Sequence, residues 1–297
     1  MPKDSFNRAL PALGPIYSGA SPRHMEKRRL GRTGASIPVV GMGTWKTFDV
    51  RGTAEEQIRS DLVAEALKAG TRLFDSSPMY GEAERVLGQA LGSHRREAFV
   101  ATKVWAKSLP EAHRQIQASL KYFQGRIDLY QVHNLSLVQE VLPLLLDLKS
   151  TGQVRYVGAT HWNPQHFSEL AKVMESGRID TVQIPYNARD EGVAKSLLPL
   201  AEELDLGVLV MVPLGTGTLT RNPPPRDKYA TLEGKGVHTW AQALLKWVLS
   251  DPRVDVVLPA TSRPGRPTEN ALAGEPPWLS EPERDTVARL AHAIPAE

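Results

Sequence analysis

The chain has 297 residues, 41% of them apolar, enough for one large domain or two ordinary ones with a sizeable core. Its net charge of +3, with no basic run beyond "EKRRLGR", argues against a nucleic-acid partner. The absence of cysteine excludes disulfides, thiolate metal sites and cysteine nucleophiles, and it suits a reducing, cytoplasmic location.

Residues 1–27 are expected to form a flexible N-terminal extension. Pro11, Gly14 and Pro15 interrupt its apolar part, which makes a poor export-signal core, although a degraded signal is the alternative reading. No apolar run reaches the length of about eighteen residues that a membrane-spanning helix needs. From residue 28 to 297 one domain is expected, because no composition shift marks a linker. It opens with "RRLGRTGASIP", a small hairpin turned by "GRTG". Strand-like runs follow at "VVGMG" (39–43), "RLFDS" (72–76), "AFVATKV" (98–104), "IDLYQVH" (127–133), "VRYVGAT" (154–160), "DTVQIPY" (180–186), "GVLVMVP" (207–213) and "VDVVLPA" (254–260).

Helical runs with apolar residues every three or four places alternate with them. They are "EEQIRSDLVAEALKAG", "PEAHRQIQASLKYFQG", "VQEVLPLLLDLKSTG", "PQHFSELAKVMESG", "VAKSLLPLAEELDLG" and "TWAQALLKWVLSDP". The tail "SEPERDTVARLAHA" adds a last helix with a capping box at Ser280 and Glu283. Buried-type strands alternating with helices imply parallel pairing. At this length a closed (β/α)8 barrel behind an N-terminal β-hairpin fits best, with an open doubly wound sheet as the alternative. Residues 215–236 read as a long, mobile Pro/Gly-rich loop over the site.

In such a barrel the working groups stand at the C-terminal ends of the strands. Those ends carry Asp75, with Tyr80 a turn later, then Lys103, then His133. A phenol in water has a pKa near ~10, and a nearby ammonium favours its ionised form. Lys103, held by Asp75, is therefore expected to bring Tyr80 nearer the working pH as a proton donor, while His133 orients a carbonyl oxygen. A Schiff-base role for Lys103 is a competing reading. No metal-binding pattern is present: HExxH and spaced ligand triads are both missing.

The stretches "FDSSPMYGEAERVLG" (74–88), "ATKV", "LYQVH" and "VRYVGAT" resemble the aldo/keto reductase superfamily over about residues 28–270, and the Phe-Asp, Tyr-Gly, Glu spacing is specific to it. The resemblance implies a (β/α)8 barrel, NADP(H) as cofactor, and hydride transfer to a small-molecule aldehyde or ketone. Its tetrad maps onto Asp75, Tyr80, Lys103 and His133. It places Gly43, Thr44 and Asp75 near the nicotinamide riboside, and Thr160, His161 and Gln183 at the carboxamide. Met211 would face the nicotinamide ring, and Pro213, Leu214, Gly215 and Thr216 would lie under the pyrophosphate. Thr261, Ser262, Arg263 and Arg266 would hold the 2′-phosphate, with Glu269 and Asn270 at the adenine. Trp45, Tyr80, Trp105 and His133 would face the substrate.

Three departures from the family pattern stand out: Thr160-His161 replaces Ser-Asn, Met211 replaces an aromatic residue, and Ala260 replaces a lysine of the 2′-phosphate segment. Two arginines there favour NADP over NAD. The short segment after Asn270 implies an open pocket for small aldehydes. Trp240, Trp247 and Trp278 are expected in packing roles, and His94, His113 and His166 at the surface. A cofactor-binding regulatory subunit with little turnover is the alternative function. A monomer is the default assembly.

Overall fold

The computed structural model describes residues 25–295. The expected extension lies almost wholly outside these residues. The hairpin pairs β1 (Lys27–Arg29) antiparallel with β2 (Ser36–Pro38). Eight parallel strands then run in sequence order: β3 (Met42–Gly43), β4 (Leu73–Asp75), β5 (Phe99–Val104), β6 (Ile127–His133), β7 (Val154–Thr160), β8 (Thr181–Pro185), β9 (Gly207–Met211) and β10 (Val256–Val257). Bridges Val40↔Val257 and Gly43↔Ala260 join the last strand to the first and close the ring. The result is the expected (β/α)8 barrel rather than an open sheet.

The strands alternate their side chains between two cores. The outward core, containing Phe74, Val100, Tyr130, Val132, Val157 and Val182, packs against the surrounding helices. The inward core contains Leu73, Phe99, Ala101, Leu129, Leu209, Val256 and Leu258, together with Leu30, Ala35 and Ile37 of the hairpin. The hairpin is therefore a plug at the N-terminal end of the barrel. Its Gly31 (φ +47°) presses so close to the start of β9 that an added Cβ would lie 2.2 Å from the nitrogen of Gly207. Residues of one parity on β4, β5 and β6 run Leu73–Asp75, Phe99–Ala101–Lys103 and Leu129–Gln131–His133. They are apolar at the floor and polar at the mouth, so chemistry is confined to the open C-terminal end.

The helices are α1 (Thr53–Lys68), α2 (Ala83–Leu91), α3 (Leu109–Tyr122), α4 (Val138–Ser150), α5 (Phe167–Glu175), α6 (Leu197–Glu203), α7 (Thr218–Arg221), α8 (Trp240–Leu249), α9 (Arg266–Leu272) and α10 (Glu281–Ala293). The Ser280 box forms as expected, with Glu283 accepting from both the backbone N–H and the hydroxyl of Ser280 at 2.7 Å. One expectation needs correction. The 215–236 stretch is not a bare loop: it contains α7 and three 3₁₀ turns. Leu219, Tyr229 and Leu232 anchor it in the core, and Trp240 Nε1 donates to the carbonyl of Leu219 at 2.8 Å. The segment after β10 forms α9, a helix absent from the runs picked out by periodicity; Pro267 sits in its first turn, a position that tolerates proline because its missing N–H would be unpaired anyway.

Candidate active site

β4, β5 and β6 bring the four expected residues to one place. Lys103 Nζ lies 2.7 Å from both carboxylate oxygens of Asp75 and 2.9 Å from the carbonyl of Ser76. Both side chains are buried, at 1% and 4% residue exposure, so this ion pair is shielded from water. The ammonium stands 5.3 Å from the centre of the Tyr80 ring. Burial works against the charge of Lys103, but the carboxylate of Asp75, and then Tyr80, outweigh it, and the ammonium is held above the ordinary lysine range. Burial raises the Asp75 carboxyl against the opposing pull of Lys103 and Gln183.

The phenol corrects a detail of the sequence reading. Burial raises the pKa of Tyr80, and Lys103 lowers it only in part, so the net shift is upward. Tyr80 is therefore a hydroxyl throughout the neutral range. Its half-buried ring meets His133 edge-on, with centroids 5.8 Å apart and planes at 89°. His133 Nδ1 is 2.8 Å from Ser77 Oγ. Burial, then Lys103 and His161, push the imidazole down to about 2, so it is neutral.

The positions expected at the nicotinamide stand beside these. His133, Thr160 and Gln183 are register neighbours across β6, β7 and β8. Gln183 donates to Asp75 at 3.3 Å and accepts from Gln131 at 2.9 Å. The buried Thr160 hydroxyl has no hydrogen-bond partner within the protein. His161 Nδ1 accepts the Asn163 N–H at 3.0 Å, which leaves Nε2 to carry the ring hydrogen. His166 stacks on it at 4.3 Å. The Thr44 hydroxyl is buried and donates to the carbonyl of Asp75 at 3.0 Å, behind Gly43 at the end of β3.

Met211 ends β9, and the turn beyond it runs through Pro213, Leu214, Gly215 and Thr216. Val212, Gly215, Thr216 and Gly217 there all have left-handed φ, between 49° and 92°. Turns of this kind direct backbone N–H groups to one concave side, which suits an anion. Past β10, Thr261, Ser262 and Arg263 lead into α9, which carries Arg266, Glu269 and Asn270. Arg266 is paired with Glu269, whose other oxygen is buried without a partner. Glu65 of α1 accepts the N–H groups of Gly265 and Thr268 at 2.9 and 3.0 Å.

Trp45 and Trp105 stand at the mouth, each 36% exposed, whereas Trp240 and Trp247 are buried as expected. Sequence reading missed Trp162, 59% exposed directly after His161 at the end of β7. It also missed Ser77 and Gln131, whose roles come from neighbours distant in the chain. For Trp162 a signal was available, since it repeats the placement of Trp45 and Trp105 just past a strand. Among the described residues no group of His, Asp or Glu is arranged to hold a metal ion, and no helix is long and apolar enough to cross a membrane.

The sequence profile of the aldo/keto reductase family matches residues 39–290. An NADH-specific methylglyoxal reductase of Escherichia coli (strain K12) is 31% identical over an alignment 238 positions long that covers 68% of this chain and 72% of that protein. An L-galactose dehydrogenase of Arabidopsis thaliana is 28% identical over 84% of this chain and 88% of its own length. Among solved structures, an aldo-keto reductase from Klebsiella pneumoniae in complex with NADPH matches with a TM-score of 0.76 at 25% identity, covering 90% of this chain and 95% of that one.

Proposed function

The chain belongs to the aldo/keto reductase family, and on that premise we propose that it reduces small aldehydes or ketones to alcohols with NADP(H), Tyr80 serving as the general acid. The observation that carries this reading is the buried Asp75–Lys103 pair set against a phenol and a neutral imidazole at the open end of the barrel.

The residues fit a nicotinamide dinucleotide. The unpartnered Thr160 hydroxyl and the free face of Gln183 can hold a carboxamide, and His161 offers an Nε2 donor beside them. The turn after Met211 suits the pyrophosphate, and the vacant acceptor of Glu269 suits an exocyclic amine. Arg263 and Arg266 are the cations available to a 2′-phosphate, so the preference for NADPH rests on them. When bound, the reduced dinucleotide supplies the hydride taken up by the carbonyl carbon.

The chain's own residues handle the oxygen. As negative charge grows there, Tyr80 transfers its proton. The raised pKa of the phenol does not prevent this, because an alkoxide is a far stronger base than a phenolate. Lys103 then stabilises the phenolate left behind, and Asp75 keeps the ammonium charged and in place. His133, neutral and fixed at Nδ1, can donate a hydrogen bond to the same oxygen. Trp45 and Trp105, exposed at the rim, offer apolar walls to a small substrate.

Following NADPH and NADH consumption over linear, aromatic and sugar aldehydes, with Tyr80→Phe as control, tests the proposal. Turnover by the parent and its loss in the variant is the expected result. Equal turnover by both would remove Tyr80 from the chemistry.

A further inference from the structure

Ser77 lies between the two residues that would contact the carbonyl oxygen, and its hydroxyl is fully buried. It accepts the N–H of Met79 at 3.2 Å, and its backbone carbonyl accepts the N–H of Tyr80 at 3.0 Å, so Ser77 caps the 3₁₀ turn that carries the phenol. The same hydroxyl is 2.8 Å from His133 Nδ1, on a different strand. A serine hydroxyl has one hydrogen to give and two lone pairs. If the imidazole hydrogen were on Nδ1, Ser77 would receive two hydrogens and its own would be buried without an acceptor, which is costly. With the hydrogen on Nε2, both hydrogens at the buried hydroxyl are used, Met79 N–H donating to Ser77 and Ser77 O–H donating to Nδ1, and Nε2–H is left to donate to a substrate.

We propose that Ser77 is a positioning residue for carbonyl reduction, locking His133 as its Nε2–H form and tying that donor to the turn that places Tyr80. The proposal deepens the reductase reading and rests on it. The neutral state of the ring, imposed by its burial and by Lys103, agrees with it. No contact between Ser77 and the substrate is required. Its effect runs through the direction of one N–H bond and the spacing of two oxygen-facing groups.

The test is nitrogen NMR of the full chain labelled at histidine, with His133 assigned from the spectrum of His133→Gln, combined with kinetics. In the parent, the His133 hydrogen should be on Nε2 and Nδ1 should show the shift of an imine nitrogen accepting a hydrogen bond. In Ser77→Ala the Nδ1 resonance should move to the unbonded imine position. In that variant kcat should fall about tenfold, the size of one hydrogen bond, with NADPH affinity unchanged. Ser77→Thr, which keeps the hydroxyl, should restore most of the rate.

Finding the ring hydrogen on Nδ1 in the parent overturns the proposal without need of any variant. So does a Ser77→Ala protein with parental kcat and an unmoved resonance. If the parent reduces none of the aldehydes of the panel, the reductase reading fails instead, while the nitrogen resonances still decide the hydrogen-bond assignment.

Discussion

Thr102 donates a 2.6 Å hydrogen bond to Oε1 of Glu84, and Ser119 donates to the same oxygen at 2.7 Å, on the face of β5 opposite to Lys103. Thr102 and Lys103 are consecutive, so one reaches the helix layer and the other the mouth. Burial pushes the Glu84 carboxyl up to about 7, against the two hydroxyl donors and Lys103.

This buried acid gives a pH-dependent stability with a definite sign. Its folded pKa of about 7 exceeds the reference value of 4.5, so the folded chain holds the proton longer than the unfolded one. Stability is therefore greatest below the lower value and falls as pH rises through the window to about 7, by on the order of 3 kcal/mol. Glu84→Gln keeps the accepting oxygen and removes the titration. Urea midpoints across that window should fall less steeply in the variant, which should be the more stable protein at pH 8. Asp255 at the floor, also raised to about 7 by burial, has the same sign, so the slope is reduced rather than abolished. Parallel curves for parent and variant would refute a titrating Glu84.

Breaking the Asp75–Lys103 pair from one side should cost more than removing both charges. Lys103→Met leaves an uncompensated buried carboxylate and should lose roughly 3–5 kcal/mol of stability. The double variant Asp75→Asn/Lys103→Met should recover a large part of it. Denaturant midpoints of the four proteins in a double-mutant cycle measure the coupling, and strict additivity would contradict the buried pair. Both Met variants should be inactive as reductases.

Reduction should show little pH dependence in the neutral range. His133, pushed down to about 2, has no charge to lose there, and Tyr80, raised above its usual value, keeps its proton. Only at alkaline pH above the ordinary phenol range should the phenol ionise and kcat fall. In Tyr80→Phe, kcat should drop by roughly 10²–10⁴-fold, with NADPH binding by fluorescence titration unchanged. A break in the parent profile near pH 6.5 that vanished in His133→Gln would show a titrating imidazole.

Arg266 is the residue on which cofactor choice can be read. A charge-assisted bond to a 2′-phosphate contributes about 1.5–3 kcal/mol, so Arg266→Ala should weaken NADPH roughly ten- to a hundredfold and leave NADH nearly unaffected. Glu269 competes for the same guanidinium. Glu269→Gln should therefore shift the preference further toward NADPH. Equal loss for both dinucleotides in Arg266→Ala would remove the phosphate role.

The barrel and the tetrad were legible because both depend on local pattern. Strand and helix periods alternate cleanly, and Asp75, Lys103 and His133 each end an apolar run. What stayed hidden is of another kind. α9 was obscured by Pro264, Gly265 and Pro267, which read as breakers although a proline in the first turn is compatible with a helix. The anchoring of residues 215–236 depends on Trp240, beyond the segment itself. Ser77 gains its role only from a residue 56 places away. The direction of the Tyr80 shift was misjudged because the sequence shows the neighbouring cation but not the depth of burial that outweighs it.

The ring of strands is closed by two isolated bridges, Val40↔Val257 and Gly43↔Ala260, whereas β6 and β7 share a six-residue register. With two bridged pairs, like β3–β4 and β9–β10, this seam is one of the thin joints of the barrel, and the proposed nucleotide residues flank it, Gly43 and Thr44 on one side and Thr261 to Asn270 on the other. A ligand grasping both margins acts as a hoop, adding its own binding energy to the work of prising the staves apart. Amide exchange at Gly41, Gly43 and Val257, whose N–H groups donate across the seam, should register that tightening.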